Sequence, residues 1–498
     1  MREITQTDYI YKTTPFDHQD KIFRETRDLE FWALFLEQGT GKSKIIIDTA
    51  AWLYMNGKIN FLLVSAPNGV HFNWIKNEIA DHLPDHINYK TLIWDSEKSQ
   101  TKWYGEKMKE FFESDDCLKI FVVNIDAVLT KRASAFIEKC VLSHSTLGVI
   151  DESQDIKSPS AKRTKAVHKL RRHIAYRRIL TGTPITQGPL DIYSQIEFLD
   201  PDVLGFGSFY SFRNRYAIMV KEETRGGQRY DMIVGYRNLD ELYKRIQRCS
   251  TRLTKDECLD LPDKLYQKCY VDLSPAQKRL YNELRDQLIV EFEGIELTAQ
   301  IALVKLLRLQ QITGGFFPVE DPESYDAEPT LLIEENGPRE KALIRILSDI
   351  PQDQKAIIWC KHTAEIKHLE KRIRAEMGKD SVVTYFGETS GEQRMSNVDG
   401  FQKNPKVRFF VGQPKSGGTG LTLHAKGACQ TVIYFSNDYS LNNRLQSEDR
   451  AHRIGQTNNV TYIDIIARET LDERVVRALR DKKGIANLLT GDPPKNWI

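Results

Sequence analysis

A short glycine-rich segment contains residue types that bind phosphate. Gly39-Thr-Gly-Lys-Ser43 follows an apolar run that starts at Phe31, and another apolar run follows it. Glycines let backbone N–H groups curl around phosphate oxygens, and the start of a helix adds a favourable dipole. The segment therefore predicts a strand, a phosphate loop and a helix. In this loop Lys42 would neutralise phosphate charge, Ser43 would ligate Mg²⁺, and Gly39, Thr40 and Gly41 would line the phosphates.

An acidic pair follows a second apolar run. The segment Thr146-Leu-Gly-Val-Ile-Asp-Glu-Ser-Gln154 predicts a strand that ends at Asp151 and Glu152. Ligands bind at the carboxyl ends of strands in open α/β sheets. We therefore assign Asp151 to the metal ion and Glu152 to orienting the attacking water. The alternative is an acidic pair that only faces solvent.

Two arginines lie near the other end of the chain, in Gln446-Ser-Glu-Asp-Arg-Ala-His-Arg-Ile-Gly-Gln456. Arg450 and Arg453 are three residues apart, so on a helix they would share one face. A guanidinium keeps its charge and presents a fork of donors that suits phosphate oxygens. The alternative is a solvated basic turn.

These three segments, in this order, resemble the conserved motifs of the Swi/Snf-type ATPases in helicase superfamily two. The resemblance extends from Phe16 to about Asp481 and includes Leu261-Pro-Asp-Lys-Leu265 of the segment between the lobes. It implies that ATP and Mg²⁺ bind at the phosphate loop, and that Arg450 and Arg453 reach the γ-phosphate across a cleft. The first glycine of the usual phosphate loop is replaced by Leu36, a change that motors of this superfamily commonly tolerate.

The resemblance also assigns roles to residues outside these segments. Gln19, in Phe16-Asp-His-Gln19, would read the adenine edge, because an amide both donates and accepts. Gly420, in the glycine-rich segment Lys415–Leu423, would contact the nucleotide. Gln154 and Gln446 would couple the ATP state to other motifs. The family pattern has His at the position of Gln154, and this departure puts the coupling in doubt.

Other residues would bind DNA by the same resemblance. Val64-Ser-Ala-Pro67 and Trp74 match a segment that holds one DNA backbone, and Arg178-Ile-Leu-Thr-Gly-Thr-Pro184 matches one that links hydrolysis to DNA contact. The predicted DNA-binding residues are Pro67, Thr181, Thr183, Lys415, Ser416 and Thr419.

Alternating strand and helix patterns predict an α/β fold with parallel sheets. The resemblance implies that these form two recA-like parallel-sheet lobes with helical insertions. At 498 residues the chain is too long for one core. We place the first lobe at 1–260, with an insertion at about 186–260 that includes a hairpin at 216–236. A linker and helical insertion follow at 261–345, the second lobe at 346–482 and a tail at 483–498.

Charge and cysteine content narrow the function classes. The net charge of +2 gives no bulk signal for nucleic acid, so DNA contacts must be local. One basic cluster, residues 161–178, is equally consistent with a solvated helix face. The seven cysteines form no Cys-x-x-Cys pair, and no apolar run is long enough to span a bilayer. We expect a monomer in a reducing compartment, either the bacterial or phage-infected cytoplasm or the eukaryotic nucleus.

The leading hypothesis is an ATP-dependent translocase that moves on double-stranded or branched DNA. With short flanks, the chain resembles a minimal motor that remodels forks or junctions in recombination, repair or replication. We expect other proteins of those processes as its partners. One alternative is a strand-separating helicase with the hairpin at Gly226-Gly227 as its wedge. Another is an ATP-gated DNA-binding adaptor without motor activity. No constellation typical of a nuclease is evident.

Overall fold

The structure, a computed structural model, describes residues 9–68, 70–113, 116–223, 229–294, 299–318, 330–417 and 421–490. The chain forms two compact units. The first comprises residues 1–220, 232–259 and 484–498, and the second comprises 221–231 and 260–483. Within the described ranges, no helix combines the length and apolar character needed to cross a membrane.

A seven-stranded parallel sheet forms the centre of the first unit, in the order β3-β4-β2-β5-β6-β1-β9. Alternate residues of its strands enter separate cores: Ala33 and Phe35 of β1 belong to one, Leu34 and Leu36 to the other. A strand that is apolar on both sides is typical of a sheet covered by helices on both faces. The strands are β1 (Phe31–Leu36), β2 (Phe61–Ala66), β3 (Tyr89–Ile93), β4 (Leu118–Asn124), β5 (Thr146–Asp151), β6 (Tyr176–Leu180) and β9 (Ser250–Leu253).

Helices connect these strands, as parallel pairing requires. A π-helix (Trp74–Ile79) lies between the third and fourth helices. The helices are α1 (Asp17–Thr26), α2 (Lys42–Met55), α3 (Val70–Asn73), α4 (Ala80–His82), α5 (Lys102–Glu113), α6 (Lys131–Ser143), α7 (Lys162–Leu170), α8 (Ile192–Leu199), α9 (Pro201–Leu204), α10 (Phe209–Tyr216), α11 (Leu239–Gln247) and α12 (Lys255–Cys258).

The predicted hairpin region contains two strands, β7 (Ala217–Glu223) and β8 (Arg229–Tyr236), which pair with each other as a two-stranded sheet. The tip at Gly226-Gly227 lies outside the described residues.

A six-stranded parallel sheet forms the centre of the second unit, in the order β10-β17-β16-β13-β15-β14. The segment predicted as linker contributes its edge strand, because Lys264 to Val271 of β10 pair with Val460 to Ala467 of β17. The strands are β10 (Lys264–Val271), β13 (Lys355–Trp359), β14 (Val382–Tyr385), β15 (Phe409–Gly412), β16 (Cys429–Tyr434) and β17 (Val460–Ala467).

A smaller antiparallel sheet of β11 (Phe316–Pro318) and β12 (Thr330–Leu332) belongs to the helical insertion. A separate apolar cluster joins that insertion to the last helix through residues such as Tyr281, Ile312 and Val475. The helices of this unit are α13 (Pro275–Gly294), α14 (Ala299–Thr313), α15 (Pro338–Asp349), α16 (Thr363–Met377), α17 (Gly391–Lys403), α18 (Pro414–Gly417) and α19 (Leu441–Glu448); α20 (Leu471–Thr490) begins in it.

The two parallel α/β sheets with helical insertions agree with the fold class expected from the sequence.

Candidate functional site: a phosphate loop and an arginine turn

The glycine-rich segment forms a loop between β1 and α2, at the carboxyl edge of the first sheet. Gly39 and Gly41 have φ values of +83° and +84°. At Gly41 the space is also filled, since an added Cβ would meet the amide nitrogen of Gln19 at 2.0 Å. Only glycine combines left-handed backbone with so close an approach. The loop therefore leads directly into the start of a helix, the geometry that binds phosphate.

Gln19 ties α1 to this loop. Its Nε2 donates to the carbonyl of Thr40 at 3.1 Å, while its Oε1 accepts from the backbone N–H of Phe16 at 3.0 Å. A ring nitrogen of His18 also lies 2.8 Å from the Thr40 carbonyl. The predicted adenine reader is thus fixed beside the loop, and adenine reading itself remains a proposal.

Lys42 and Ser43 begin α2 and are both half-buried. The Nζ of Lys42 donates to the carbonyls of Leu36 and Glu37, at 2.9 and 3.2 Å. Its ammonium group therefore lies within the mouth of the loop, where phosphate oxygens could replace those carbonyls.

Asp151 ends β5 and is buried. Its Oδ2 accepts from the indole N–H of Trp74 at 2.9 Å. Burial and then the neighbouring Glu152 charge raise the pKa of Asp151 to about 7, while the Trp74 hydrogen bond and Lys42 oppose the shift. The indole of Trp74 is buried and holds Asp151, while DNA binding by the segment that contains Trp74 stays a prediction.

Asp151 and Ser43 supply hard oxygen donors, which Mg²⁺ prefers. Among the residues that the structure describes, no group of three or more His, Cys, Asp or Glu could hold a metal ion without other ligands. Mg²⁺ in phosphate-transfer sites is typically held by one or two carboxylates together with substrate phosphates, so the residues fit that ion.

Glu152 has a strained backbone, with φ +54° in the left-handed region. Both carboxylate oxygens accept hydrogen bonds from amides. Gln38 of the phosphate loop donates to Oε1 at 3.2 Å, and Gln154 donates to Oε2 at 2.8 Å. The carboxylate is therefore held from two directions.

Gln154 continues this chain of contacts to the Thr-Gly-Thr segment after β6. The hydroxyl of Thr181 donates to Gln154 Oε1 at 2.6 Å and accepts from the backbone N–H of Thr183 at 2.9 Å. Glutamine thus occupies the family's histidine position and connects Glu152 to Thr181. Since Thr181 is fully buried, the predicted direct DNA contact is replaced by this internal role; Thr183 is half-buried.

Two residues near the end of the first unit adjoin the site and were missed from the sequence. Arg252 of β9 donates to the carbonyls of Phe35 at 2.8 Å and Gly182 at 3.3 Å, so it joins the end of β1, just before the phosphate loop, to the Thr-Gly-Thr segment. The buried Lys255 donates its backbone N–H to the carboxylate of Glu37 at 2.9 Å. No local sequence pattern pointed to these two residues. Their partners Phe35 and Glu37 lie more than 200 residues earlier in the chain.

The basic cluster at 161–178 is largely paired internally. Arg163 pairs with Asp126 at 3.0 Å and Lys169 with Glu138 at 3.2 Å. Arg178 is buried and donates only to backbone carbonyls in its described hydrogen bonds. These contacts favour a structural role for the cluster over DNA binding.

In the second unit, the two arginines lie in a turn and not on a helix, where their spacing would place them on one face. Helix α19 ends at Glu448, and residues 450–456, the arginine turn, follow it. The two side chains still converge, because Arg450 and Arg453 both donate to the carbonyl of Leu421, at 3.0 and 3.1 Å.

The two arginines differ in exposure. Arg450 is buried and also donates to the carbonyl of Gln446 at 2.9 Å, whereas Arg453 is half-exposed. Gln456 closes the turn by donating to the carbonyls of Cys429 and Ala451, at 2.8 and 3.3 Å. Arg453 is therefore the better placed of the two to meet a ligand.

The remaining predicted residues are less constrained. Pro67 follows β2 and is half-buried, Lys415 is exposed on α18, and Ser416 donates to Gln413 at 3.3 Å. Thr419 and Gly420 lie outside the described residues.

Family models match most of the chain. The SNF2-related domain matches residues 18–314, and the helicase conserved C-terminal domain matches residues 338–455. The chain belongs to the SNF2-related family. Two bacterial proteins that match this chain are described as ATP-dependent helicases.

Individual SNF2-related relatives are distant in sequence. An ATP-dependent helicase of Mycoplasma pneumoniae, itself described as uncharacterized, is 27% identical over 91% of this chain and 39% of its own length. The mouse (Mus musculus) chromodomain-helicase-DNA-binding protein 1-like is 25% identical over 91% of this chain and 47% of its own. The chain thus spans less than half the length of these two relatives.

Among solved structures, the SWI2/SNF2 ATPase core of Sulfolobus solfataricus in complex with dsDNA covers 97% of this chain and 95% of its own. The two are 24% identical, with a TM-score of 0.41.

Proposed function

We propose that this SNF2-related chain hydrolyses ATP to move on double-stranded or branched DNA. The observation that carries the proposal is the continuous set of hydrogen bonds from the phosphate loop through Gln38, Glu152 and Gln154 to Thr181. A site that only bound nucleotide would not need its water-orienting carboxylate connected to a neighbouring segment.

Residues of the first unit would do most of the chemistry. Loop N–H groups and Lys42 would bind the phosphates, and Glu152 would orient the attacking water. Asp151 and Ser43 would hold Mg²⁺, which when bound neutralises charge on the phosphate oxygens. Gln19 would select adenine.

Arg450 and Arg453 would act on the same ATP and complete hydrolysis. An arginine supplied to a phosphoryl-transfer site contributes on the order of 10³-fold or more to the rate. Arg453 would then exchange its bond to the Leu421 carbonyl for one to phosphate, with Gln446 holding Arg450.

DNA contacts would come from Pro67, Thr183, Lys415, Ser416 and Thr419. Contacts of this kind to the DNA backbone give weak sequence preference and strong salt dependence. The proposed work is remodelling of forks or junctions in recombination, repair or replication, by a monomer in the bacterial cytoplasm or the eukaryotic nucleus. These finer roles are supported by the family resemblance alone.

The test of this assignment separates ATP binding from ATP turnover. We expect Lys42→Ala to abolish turnover, and Glu152→Gln to bind ATP without hydrolysing it. Arg453→Ala should also lose turnover while the nucleotide Kd changes by less than about twofold, because its role lies in the transition state. Arg345→Ala, an exposed arginine on α15, is the matched control. Turnover that survives Arg453→Ala would contradict the role given to the arginine turn.

The structure favours neither alternative. Strand separation would be seen as displacement on a plain duplex. An adaptor would bind DNA in response to ATP without DNA-stimulated turnover. Gln154, the sequence feature behind this alternative, is hydrogen-bonded to Glu152 and Thr181.

A further inference from the structure

Glu448 is the residue from which the arginine turn begins. Its backbone carbonyl accepts from the N–H groups of Ala451 and His452, each at 3.3 Å, and from the hydroxyl of Tyr462 at 3.0 Å. Two N–H groups of the arginine turn are therefore anchored on this single residue. Any movement of Glu448 would move the start of the turn.

The Glu448 carboxylate is itself held by three side chains. Arg444 donates to Oε1 at 2.9 Å, the hydroxyl of Tyr266 donates to Oε2 at 2.8 Å, and Lys264 Nζ lies 3.7 Å from Oε2. Arg444 is fixed in turn by Asp464, which accepts at 3.1 Å from its second nitrogen. A buried carboxylate requires this kind of pairing, because an unpaired buried charge is strongly destabilising.

Electrostatics agree with this geometry. Burial alone would raise the pKa of Glu448, but Lys264 and then Arg444 hold it below its ordinary value. The three neighbouring side chains therefore favour the charged form of this carboxylate.

Lys264 and Tyr266 belong to β10, the first strand of the second unit, which follows directly on the last residues of the first unit. The same stretch touches the turn and its flanks elsewhere. A ring nitrogen of His452 lies 2.7 Å from the carbonyl of Pro262, and Lys264 Nζ lies 3.5 Å from Asp449. The first residues of this part of the second unit are thus bonded to His452 of the arginine turn and to Glu448 and Asp449 just before it.

We propose that Lys264 and Tyr266 are positioning residues for ATP hydrolysis, which hold the arginine turn through the Glu448 carboxylate. The inference rests on the proposed function of that turn. The start of β10 would then fix the position of Arg450 and Arg453 within the second unit.

The strand contains its own control. The pattern Lys264-x-Tyr266 repeats as Lys268-x-Tyr270, and alternate residues of a strand share a face. Tyr270 packs under Arg468, 5.0 Å from ring centre to guanidinium, rather than against Glu448. The two pairs therefore offer the same chemistry on the same face, with only the first beside the arginine turn.

The experiment compares Lys264→Met/Tyr266→Phe with Lys268→Met/Tyr270→Phe in the full chain. Steady-state ATPase rates with duplex DNA should show kcat lowered roughly tenfold in the first variant with KM changed less than about twofold. The reason is that one hydrogen bond and one ion pair to a charged group are lost outside the ATP-binding loop. The control variant should stay within about twofold in both. Hydrogen exchange should become faster at residues 449–456 in the first variant only.

The single variant Lys264→Arg keeps the positive charge beside Glu448. It should therefore retain most of the wild-type kcat. If the double variant melts at a much lower temperature, the single variant Tyr266→Phe replaces it. That change removes only one hydroxyl, from a side chain that is 37% exposed, and hydrogen exchange at residues 449–456 in this variant then decides. Equal effects in both pairs, a change in KM alone, or unchanged exchange at 449–456 would overturn the inference. If DNA did not stimulate ATP turnover by the wild-type protein, the proposed function would be overturned instead. The hydrogen-exchange measurement does not depend on ATP turnover, so the two outcomes can be told apart.

Discussion

At the scale of single residues, Gln154 is the most informative side chain. Its amide accepts a hydrogen bond from Thr181 and donates one to Glu152, so a single neutral group connects these two residues. A glutamine does not titrate, so this connection keeps its donor and acceptor pattern across the working pH range. The replacement of the family's histidine therefore preserves the link.

A double-mutant cycle tests whether Thr181 acts through Gln154. We expect Gln154→Met and Thr181→Ala each to lower kcat roughly tenfold, because Glu152 loses its support, with KM for ATP little changed. The double variant should be no slower than Gln154→Met. Additive losses would show that the two residues act separately.

Asp155, in the short helix after Glu152, gives a pH-dependent prediction. Burial raises its pKa to about 6, with Arg163 opposing and Glu152 adding to the shift. A raised carboxyl pKa means that the folded state binds the proton more tightly, so this contribution to stability is present near pH 4 and lost as pH rises through 6.

The free energy of unfolding of Asp155→Asn, measured relative to that of the wild type, should therefore rise by about 2 kcal/mol or less from pH 4.5 to pH 8. Urea unfolding at the two pH values measures this change, with the exposed Asp81→Asn as the control. If the free energies of unfolding of variant and wild type differed by the same amount at both pH values, the raised pKa of Asp155 would be contradicted.

At the scale of elements, β9 and α12 act as a support for the phosphate loop. Arg252 bonds one carbonyl at the end of β1 and another in the Thr-Gly-Thr segment, while Lys255 bonds the carboxylate of Glu37. The last elements of the first unit therefore fix the geometry of a loop near its beginning.

Arg252→Met should lower kcat/KM for ATP roughly tenfold, because two carbonyls lose a charged donor and the loop loses its brace. Arg248→Met, an exposed arginine just before β9, is the control and should have little effect. Steady-state ATPase kinetics decide the point, and equal effects of the two changes would exclude the bracing role.

The sequence predicted elements better than it predicted contacts. Apolar runs and glycines located β1, the phosphate loop and β5, because these signals are local. The turn at Arg450 could not be predicted, since spacing alone cannot show that α19 ends at Glu448. Arg252, Lys255 and the role of Trp74 depend on partners distant along the chain, which no local pattern reveals.

At the scale of the whole molecule, two parallel-sheet units each hold one part of the proposed chemistry. The first brings together the phosphate loop, Asp151, Glu152 and Gln154; the second brings together Arg450 and Arg453 on the Leu421 carbonyl. Because β10 belongs to the second sheet and not to a separate linker, the chain between the units is short.

The central claim is that DNA drives ATP turnover at this site. The most direct measurement is the ATPase rate of the wild-type chain without DNA and with single-stranded, duplex, forked and four-way DNA, at low and high salt. We predict that duplex or branched DNA raises kcat at least roughly tenfold, and that the stimulation falls steeply with salt because backbone phosphates are bound. A rate that is the same with and without every DNA would contradict the account.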